Sequence, residues 1–142
     1  MGKKRVVAQA GTTPDAPTPA VHLGSKKKFS HGVLYIQSTY NNTKLTLTDT
    51  AGETLAWSSS GALGFRGAKK GTTFAASKVG ELMADKATDI GIKEVEVVIK
   101  GVGSGRESSM RAFAGKGIGL TAIKDSTPVP FNGPKPKKPR RV

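Results

Sequence analysis

Hydrophobic and polar positions change period along this chain in blocks. Val33, Tyr35 and Gln37 alternate with Leu34, Ile36 and Ser38 from Gly32 to about Tyr40, a β-branched and aromatic run with the period of two that defines a strand. Asn41-Asn42-Thr43 follows as a turn, since Asn tolerates left-handed backbone and bonds its own main chain. Lys44 to Thr48 sets Leu45 and Leu47 against Thr46 and Thr48, a second strand with one wet face. After a turn at Asp49-Thr50-Ala51-Gly52, Thr54 to Ser58 reads as a third strand with Leu55 and Trp57 on one side. Short strands joined by tight turns make an antiparallel meander.

The period then lengthens. Phe74, Ala75, Val79, Leu82, Met83, Ala87 and Ile90 recur on one face of a helix, capped by Thr72 or Thr73 and ended by Gly91. Glu81, Asp85, Lys86 and Asp89 fall on or near its solvated side. Lys93 to Lys100 returns to alternation as a strand. A short helix follows with Met110, Phe113 and Ala114 inward, closed by Gly115-Lys116-Gly117. Ile118 to Ile123 is a last strand, which the intervening helix allows to run parallel to its predecessor. The prolines at 128, 130, 134, 136 and 139 then forbid regular structure and favour an extended tail.

Two segments between these elements carry candidate chemistry. Ser58 to Gly71 is rich in Ser and Gly and holds Phe65 among Arg66, Lys69 and Lys70, so it can approach another surface closely. Phe65 either anchors this loop in the domain or stacks on a base. Lys100-Gly101-Val102-Gly103-Ser104-Gly105-Arg106-Glu107 joins a strand to a helix through alternating glycines. Glycines at positive φ can gather amides into an anion-binding nest, reinforced by the helix N-terminus and by Arg106. The same glycines can equally serve as a tight turn. Ser104 and Glu107 have capping-box spacing. The stretch lacks both the G-x-x-x-x-G-K-[ST] of a phosphate loop and the third glycine of a dinucleotide turn.

Charge sharpens the reading. The 142 residues, enough for one domain, carry 23 Lys and Arg against 10 Asp and Glu, a net charge of +13 that favours a polyanion. The body from 29 to 123 is near neutral, with eleven basic and eight acidic groups; the excess lies at the ends. Met1 to Lys28 is Pro- and Thr-containing, poor in large apolar residues, and closes on Lys26-Lys27-Lys28, which predicts a flexible basic arm. The domain division expected is arm 1–28, globular body 29–125 and Pro-rich basic tail 126–142. The absence of cysteine removes thiolate chemistry, and no signal-like or membrane-spanning run is present, so a soluble intracellular protein is expected.

Several stretches together resemble the small-subunit ribosomal protein eleven family. They are Thr39-Tyr40-Asn41-Asn42-Thr43, Ser60-Gly61 through Gly64-Phe65-Arg66-Gly67, and Thr73-Phe74-Ala75-Ala76. Lys100-Gly101 through Gly103-Ser104-Gly105-Arg106-Glu107, Arg111-Ala112, and Thr127-Pro128-Val129-Pro130-Phe131-Asn132-Gly133 with the basic end complete the match. It runs from about His31 to Val142, with Phe131 where the family often has His and Pro134 where it often has Cys. The resemblance implies an α/β domain of three layers, with a mixed five-stranded sheet of ribonuclease H-like topology and two helices, plus flexible basic N- and C-terminal extensions.

It also implies a non-catalytic, cofactor-free component of the small ribosomal subunit in the cytoplasm or an organelle. Such a protein binds ribosomal RNA in the platform near the messenger exit path, beside the proteins numbered seven and eighteen, without self-association or a membrane partner. RNA contact then falls on Asn41, Asn42, Thr43, Gly61, Phe65, Arg66, Gly67, Lys69, Lys70, Thr72, Gly103, Ser104, Gly105 and Arg106. In the tail it falls on Asn132, Gly133, Lys135, Lys137, Lys138, Arg140 and Arg141. The charge runs add Lys26, Lys27 and Lys28.

Two other classes compete. A nuclease on the same topology needs carboxylates converging on metal ions, with Asp49, Glu94, Glu96 and Glu107 as candidates. A free single-strand chaperone would act through its tails alone. His22 and His31 lack a ligand partner at useful spacing and read as solvated.

Overall fold

A computed structural model describes residues 28–141; of the expected N-terminal arm only Lys28 is among them, and Lys26, Lys27 and His22 lie outside the described residues. Five strands, β1 (His31–Ser38), β2 (Thr43–Thr48), β3 (Thr54–Ser59), β4 (Glu94–Lys100) and β5 (Gly119–Asp125), form one sheet in the order β3-β2-β1-β4-β5. The first three make the antiparallel meander, while β4 runs parallel to β1 and β5 parallel to β4. Helices α1 (Thr73–Ile90) and α2 (Gly105–Ala114) connect β3 to β4 and β4 to β5.

Both connections move across the sheet in the same direction, and right-handed crossovers of that kind put both helices on one face. The two helices accordingly pack against each other. The mixed five-stranded sheet and two helices are as expected. The described residues nevertheless form two layers and not three, because no element covers the second face.

The helix-side face supplies the core. Leu34, Ile36, Leu45, Leu47, Val95, Val97 and Ile99 meet Val79, Met83 and Ala87 of α1 and Phe113 of α2, all buried. Each of these side chains larger than Ala contributes about 1.5–3 kcal/mol. The six ion pairs of the described residues are all partly exposed, a setting in which a pair is worth about 0–1 kcal/mol, so burial sets the fold. No described helix is long and apolar enough to cross a membrane.

Two side chains depart from the periodic reading. A bulge sets Thr54 and Ala56 against adjacent residues of β2. Leu55 packs against the core while Trp57, paired with Thr46, stands on the uncovered face at 56% exposure. Phe74, assigned to the buried stripe of α1, is 62% exposed, because at helical periodicity it falls on the opposite side from Val79 and Met83 and shares the outer face with Lys78; its ring meets Phe65 edge-on at 6.0 Å.

Close backbone approach explains glycines that propensity would penalise. A Cβ on Gly80 would lie 2.4 Å from the Ser109 carbonyl oxygen of α2 and 3.1 Å from Ala112 Cβ. At Gly105 it would lie 2.3 Å from Thr43 Oγ1 and 2.8 Å from Ala76 Cβ. Thr43 Oγ1 and its neighbour Ser38 Oγ are buried beneath this helix start without a hydrogen-bond partner.

The sheet also holds the root of the C-terminal tail. Arg106 of α2 donates to the Gly101 carbonyl, to Thr127 Oγ1 at 3.2 Å and to the Asp125 carboxylate. The Thr127 hydroxyl and amide both donate to Asp125 Oδ1, at 2.6 and 2.9 Å, and Ser126 N–H bonds Ile99 O. These donors, the Thr127 hydroxyl first and Arg106 next, hold the Asp125 carboxyl well below the usual carboxylate range.

Three outcomes follow from this packing. Gly80→Ala should lower stability by up to about 2 kcal/mol in urea unfolding, because overpacking costs about 1–3 kcal/mol against the roughly 1 kcal/mol that Ala gains in a helix; a midpoint raised by that full helical gain would refute the close contact. Thr43→Val, which keeps the shape and removes the orphaned hydroxyl, should raise stability by about 1 kcal/mol in the same assay. Because the folded pKa of Asp125 is depressed, its contribution is complete above the ordinary carboxylate pKa and fades only as pH falls through the lower folded value. The Asp125 carboxyl-carbon chemical shift should therefore stay flat as pH falls through about 4, where a free Asp titrates; a midpoint there would show the anchor to be absent.

Candidate nucleic-acid interface

The parallel strands all end at the same edge of the sheet, so three connections emerge together: 39–42 after β1, 60–72 after β3 and 101–104 after β4. The tail leaves β5 at this edge too, and both helices begin here. Backbone contacts stitch the three loops into one surface. Thr39 N–H bonds Asn42 O at 2.8 Å, and the buried Ser60 hydroxyl lies 2.6 Å from Asn42 Oδ1 and 2.8 Å from Lys70 O. Ser104 Oγ donates to Gly71 O at 2.8 Å. Gly71 itself lies so close to the first loop that a Cβ would be 2.1 Å from Tyr40 O.

The first loop does not turn through left-handed Asn. Among the described residues the only non-glycine at positive φ is Asn132, in the tail. Asn42 is instead held by Ser60 and by the Thr39 hydroxyl, which leaves Asn41 outermost. Thr43 is buried beneath it.

The second loop contains a 3-10 turn, Gly67–Gly71, that the sequence did not suggest. Gly61, Arg66, Gly67 and Lys69 are exposed, and Phe65 and Lys70 are half-buried. Phe65 is thus neither a full anchor nor a free stacking platform; its edge contact with Phe74 lies at the surface. Thr72 caps α1, accepting from Ala75 N–H at 3.3 Å. Arg66, Lys69 and Lys70 form no ion pair among the described residues.

The third loop is built differently from the nest and capping box that its sequence suggests. Of its glycines only Gly101 has a positive φ, +101°. Gly103 and Gly105 are buried, and Gly103 N–H is spent on Ser38 O at 3.0 Å. Ser104 already has helical backbone angles, makes no capping bond, and directs its hydroxyl to Gly71. Glu107 pairs forward with Arg111 at 3.1 Å. Arg106 is consumed by the tail anchor described above. The glycines here serve contact between loops, since a Cβ at 101 or 103 would strike the Ser38 or Thr39 carbonyl.

Charge on the near-neutral body is sorted by position. The interface edge holds Arg66, Lys69, Lys70 and Lys100, while no acidic residue occurs from 54 to 80. The two helix N-termini add partial positive charge there. Asp49, Glu53 and Glu94 lie at the opposite edge, as does Lys28, three residues before β1, so Lys28 does not join this surface. In the tail, Asn132, Gly133, Lys135, Lys137, Lys138, Arg140 and Arg141 are exposed and lack regular structure.

The carboxylates considered for metal-dependent hydrolysis stand apart. Asp49 Oδ1 accepts from Glu53 N–H at 2.8 Å, Glu94 meets His31 Nδ1 at 3.3 Å, and Glu96 pairs with Lys124. Lys44, omitted from the sequence-predicted site, flanks the edge on β2; its place in a strand that alternates with core leucines could have flagged it.

Comparison with known proteins gives this geometry its context. The family described as Ribosomal protein S11 matches residues 32–141. A relative from Mesostigma viride, "Small ribosomal subunit protein uS11c", is 50% identical over 118 residues, which cover 83% of this chain and 91% of the relative. On that match, extending through all three stitched loops and the basic tail, the chain belongs to the ribosomal protein S11 family and is a structural protein of the small ribosomal subunit.

Proposed function

We propose that the stitched edge and the tail bind ribosomal RNA in the platform of the small subunit. In this reading the protein fastens folded RNA near the messenger exit path, beside the proteins numbered seven and eighteen, and supports assembly without catalysing a reaction. The observation that carries the reading is the gathering of three distant loops, two helix N-termini and the tail root at one edge, where Arg66, Lys69, Lys70 and Lys100 form no ion pair among the described residues.

The body at 29–125 and the tail at 126–142 divide the work, with the arm at 1–28 as a further basic extension. Arg66, Lys69 and Lys70 face outward from a loop whose backbone is tied at Ser60 and Gly71, so their spacing is preset and little ordering entropy is lost on binding. Side chains cannot read the deep groove of duplex RNA, so a rigid edge selects loops, bulges and sugar hydroxyls by shape. The Pro-rich tail is already extended, and its five cations from Lys135 to Arg141 can follow a phosphate backbone. Arg106 contributes from beneath by fixing where the tail departs.

Salt dependence separates these parts. Each phosphate contact on single-stranded RNA contributes about 0.7 to the slope of log affinity against log salt. Replacing Arg66, Lys69 and Lys70 together by Ala should therefore reduce the slope by about 2, and removing 132–142 by up to about 3.5. Both variants should keep the fold by circular dichroism, and footprinting on small-subunit ribosomal RNA should lose protection only at the site each one touches. Slopes equal to that of the intact chain would remove the edge and tail from the RNA contact.

A further inference from the structure

No described residue covers the second face of the sheet, and its composition is not that of a merely solvated surface. Across the middle run Trp57, Thr46, Tyr35 and Val98 in register on β3, β2, β1 and β4. Trp57 is 56% exposed and Tyr35 38%. Strands are spaced about 4.8 Å apart, so the two spacings from β3 across β2 to β1 put these rings about 10 Å apart, too far to clamp one planar group between them. Each ring is therefore a separate platform. Beside Trp57 is a shallow depression lined by Lys44, Thr46 and Thr54.

The next row toward the loop edge reads Lys44, Gln37 and Lys100 across β2, β1 and β4. Lys44 and Lys100 form no ion pair among the described residues. Lys44 Nζ lies 5.9 Å from the centre of the Trp57 ring, within reach of anything stacked there. The acidic residues of this face, Glu94 and Glu96, lie in rows farther from the loop edge and are engaged by His31 and Lys124.

We infer that this face is a second RNA surface, on which a single strand leaving the loop edge lays one unstacked base on Trp57 and another on Tyr35, with Lys44 and Lys100 on its phosphates. Isolated aromatic platforms flanked by unpaired cations on an open sheet suit nucleic acid, because every base has a π-face and the strand brings its own negative charge. A protein partner fits less well: the apolar groups form a broken row between lysines and a polar rim, not a continuous patch. The surface is continuous with the edge, since Lys44 follows Thr43 and Lys100 precedes Gly101. The inference rests on the RNA-binding reading above.

Trp57 is the only tryptophan of the chain and so reports its own contact. With the full-length protein, a short oligouridylate should quench the tryptophan fluorescence saturably. Trp57→Ala and Tyr35→Ala, each folded by circular dichroism, should bind fluorescein-labelled oligouridylate about 5- to 150-fold more weakly, with Trp57→Phe close to the parent. Lys44→Glu should weaken binding without removing a platform. Salt-sensitive binding with neither quenching nor loss in the alanine variants would refute the sheet-face site and leave the edge and tail reading intact. Loss of association with another platform protein in Trp57→Ala, with RNA affinity unchanged, would make this a protein-docking face and equally overturn the inference. No affinity for oligouridylate or for small-subunit ribosomal RNA would instead bring down the underlying reading.

Discussion

Contact between backbones at one edge of the sheet is the constraint on which the rest of this molecule depends. Three loops from distant parts of the chain approach so closely that at Gly71, Gly101 and Gly103 a single methyl group would strike a carbonyl of the first loop, at 39–42, or of the Ser38 just before it. Ser60 and Ser104 then join the loops by hydrogen bonds, Ser60 from a fully buried position. Interloop contact of this kind makes a rigid surface from segments that carry little apolar side chain. It also sets the spacing of Arg66, Lys69 and Lys70, which no core contact could hold.

The core and the surface divide the energetics differently from the way the charge count suggests. Burial of the aliphatic face against two helices supplies most of the stability, and the ion pairs, all partly exposed, add little. Electrostatics act through arrangement instead. Asp49, Glu53 and Glu94 lie toward the edge where β1 begins. Arg66, Lys69, Lys70 and Lys100, unpaired among the described residues, lie toward the edge where it ends, where Asp125 and Glu107 are engaged by Arg106 and Arg111; both helix N-termini point the same way. A body that is nearly neutral in sum therefore presents a strongly signed end, and the tail rooted beside it extends the same sign.

Arg106 shows how a functional-looking residue can act indirectly. Its guanidinium bonds the Gly101 carbonyl, Thr127 and Asp125 at once, so it is committed to fixing the departure of the tail. The two-layer architecture has a comparable indirect effect. By placing both crossovers on one face it leaves the other open among the described residues, with Trp57 and Tyr35 displayed one row from Lys44 and Lys100.

Local pattern determined the elements, because strand and helix follow from periods of two and 3.6 that a few neighbouring residues display. The meander, the long helix from its Thr72 cap to Gly91 and the parallel return of the last strand were all legible in this way, as were the family-bearing motifs. Reading failed where a residue's partner lies far along the chain. Ser104 and Glu107 have the spacing of a capping box, yet a carbonyl at Gly71, 33 residues away, claims the serine. Glycines that suggest an anion nest are required instead by the Ser38 and Thr39 carbonyls, and Gly80 has its reason on another helix. Phe74 lies out of phase with the buried face of its helix, and a bulge at Leu55 turns Trp57 to the uncovered face of the sheet. Sequence determined what each segment would become; only the tertiary structure decided which groups were already spent on one another, because hydrogen bonding and steric exclusion depend on proximity in space and not on separation along the chain.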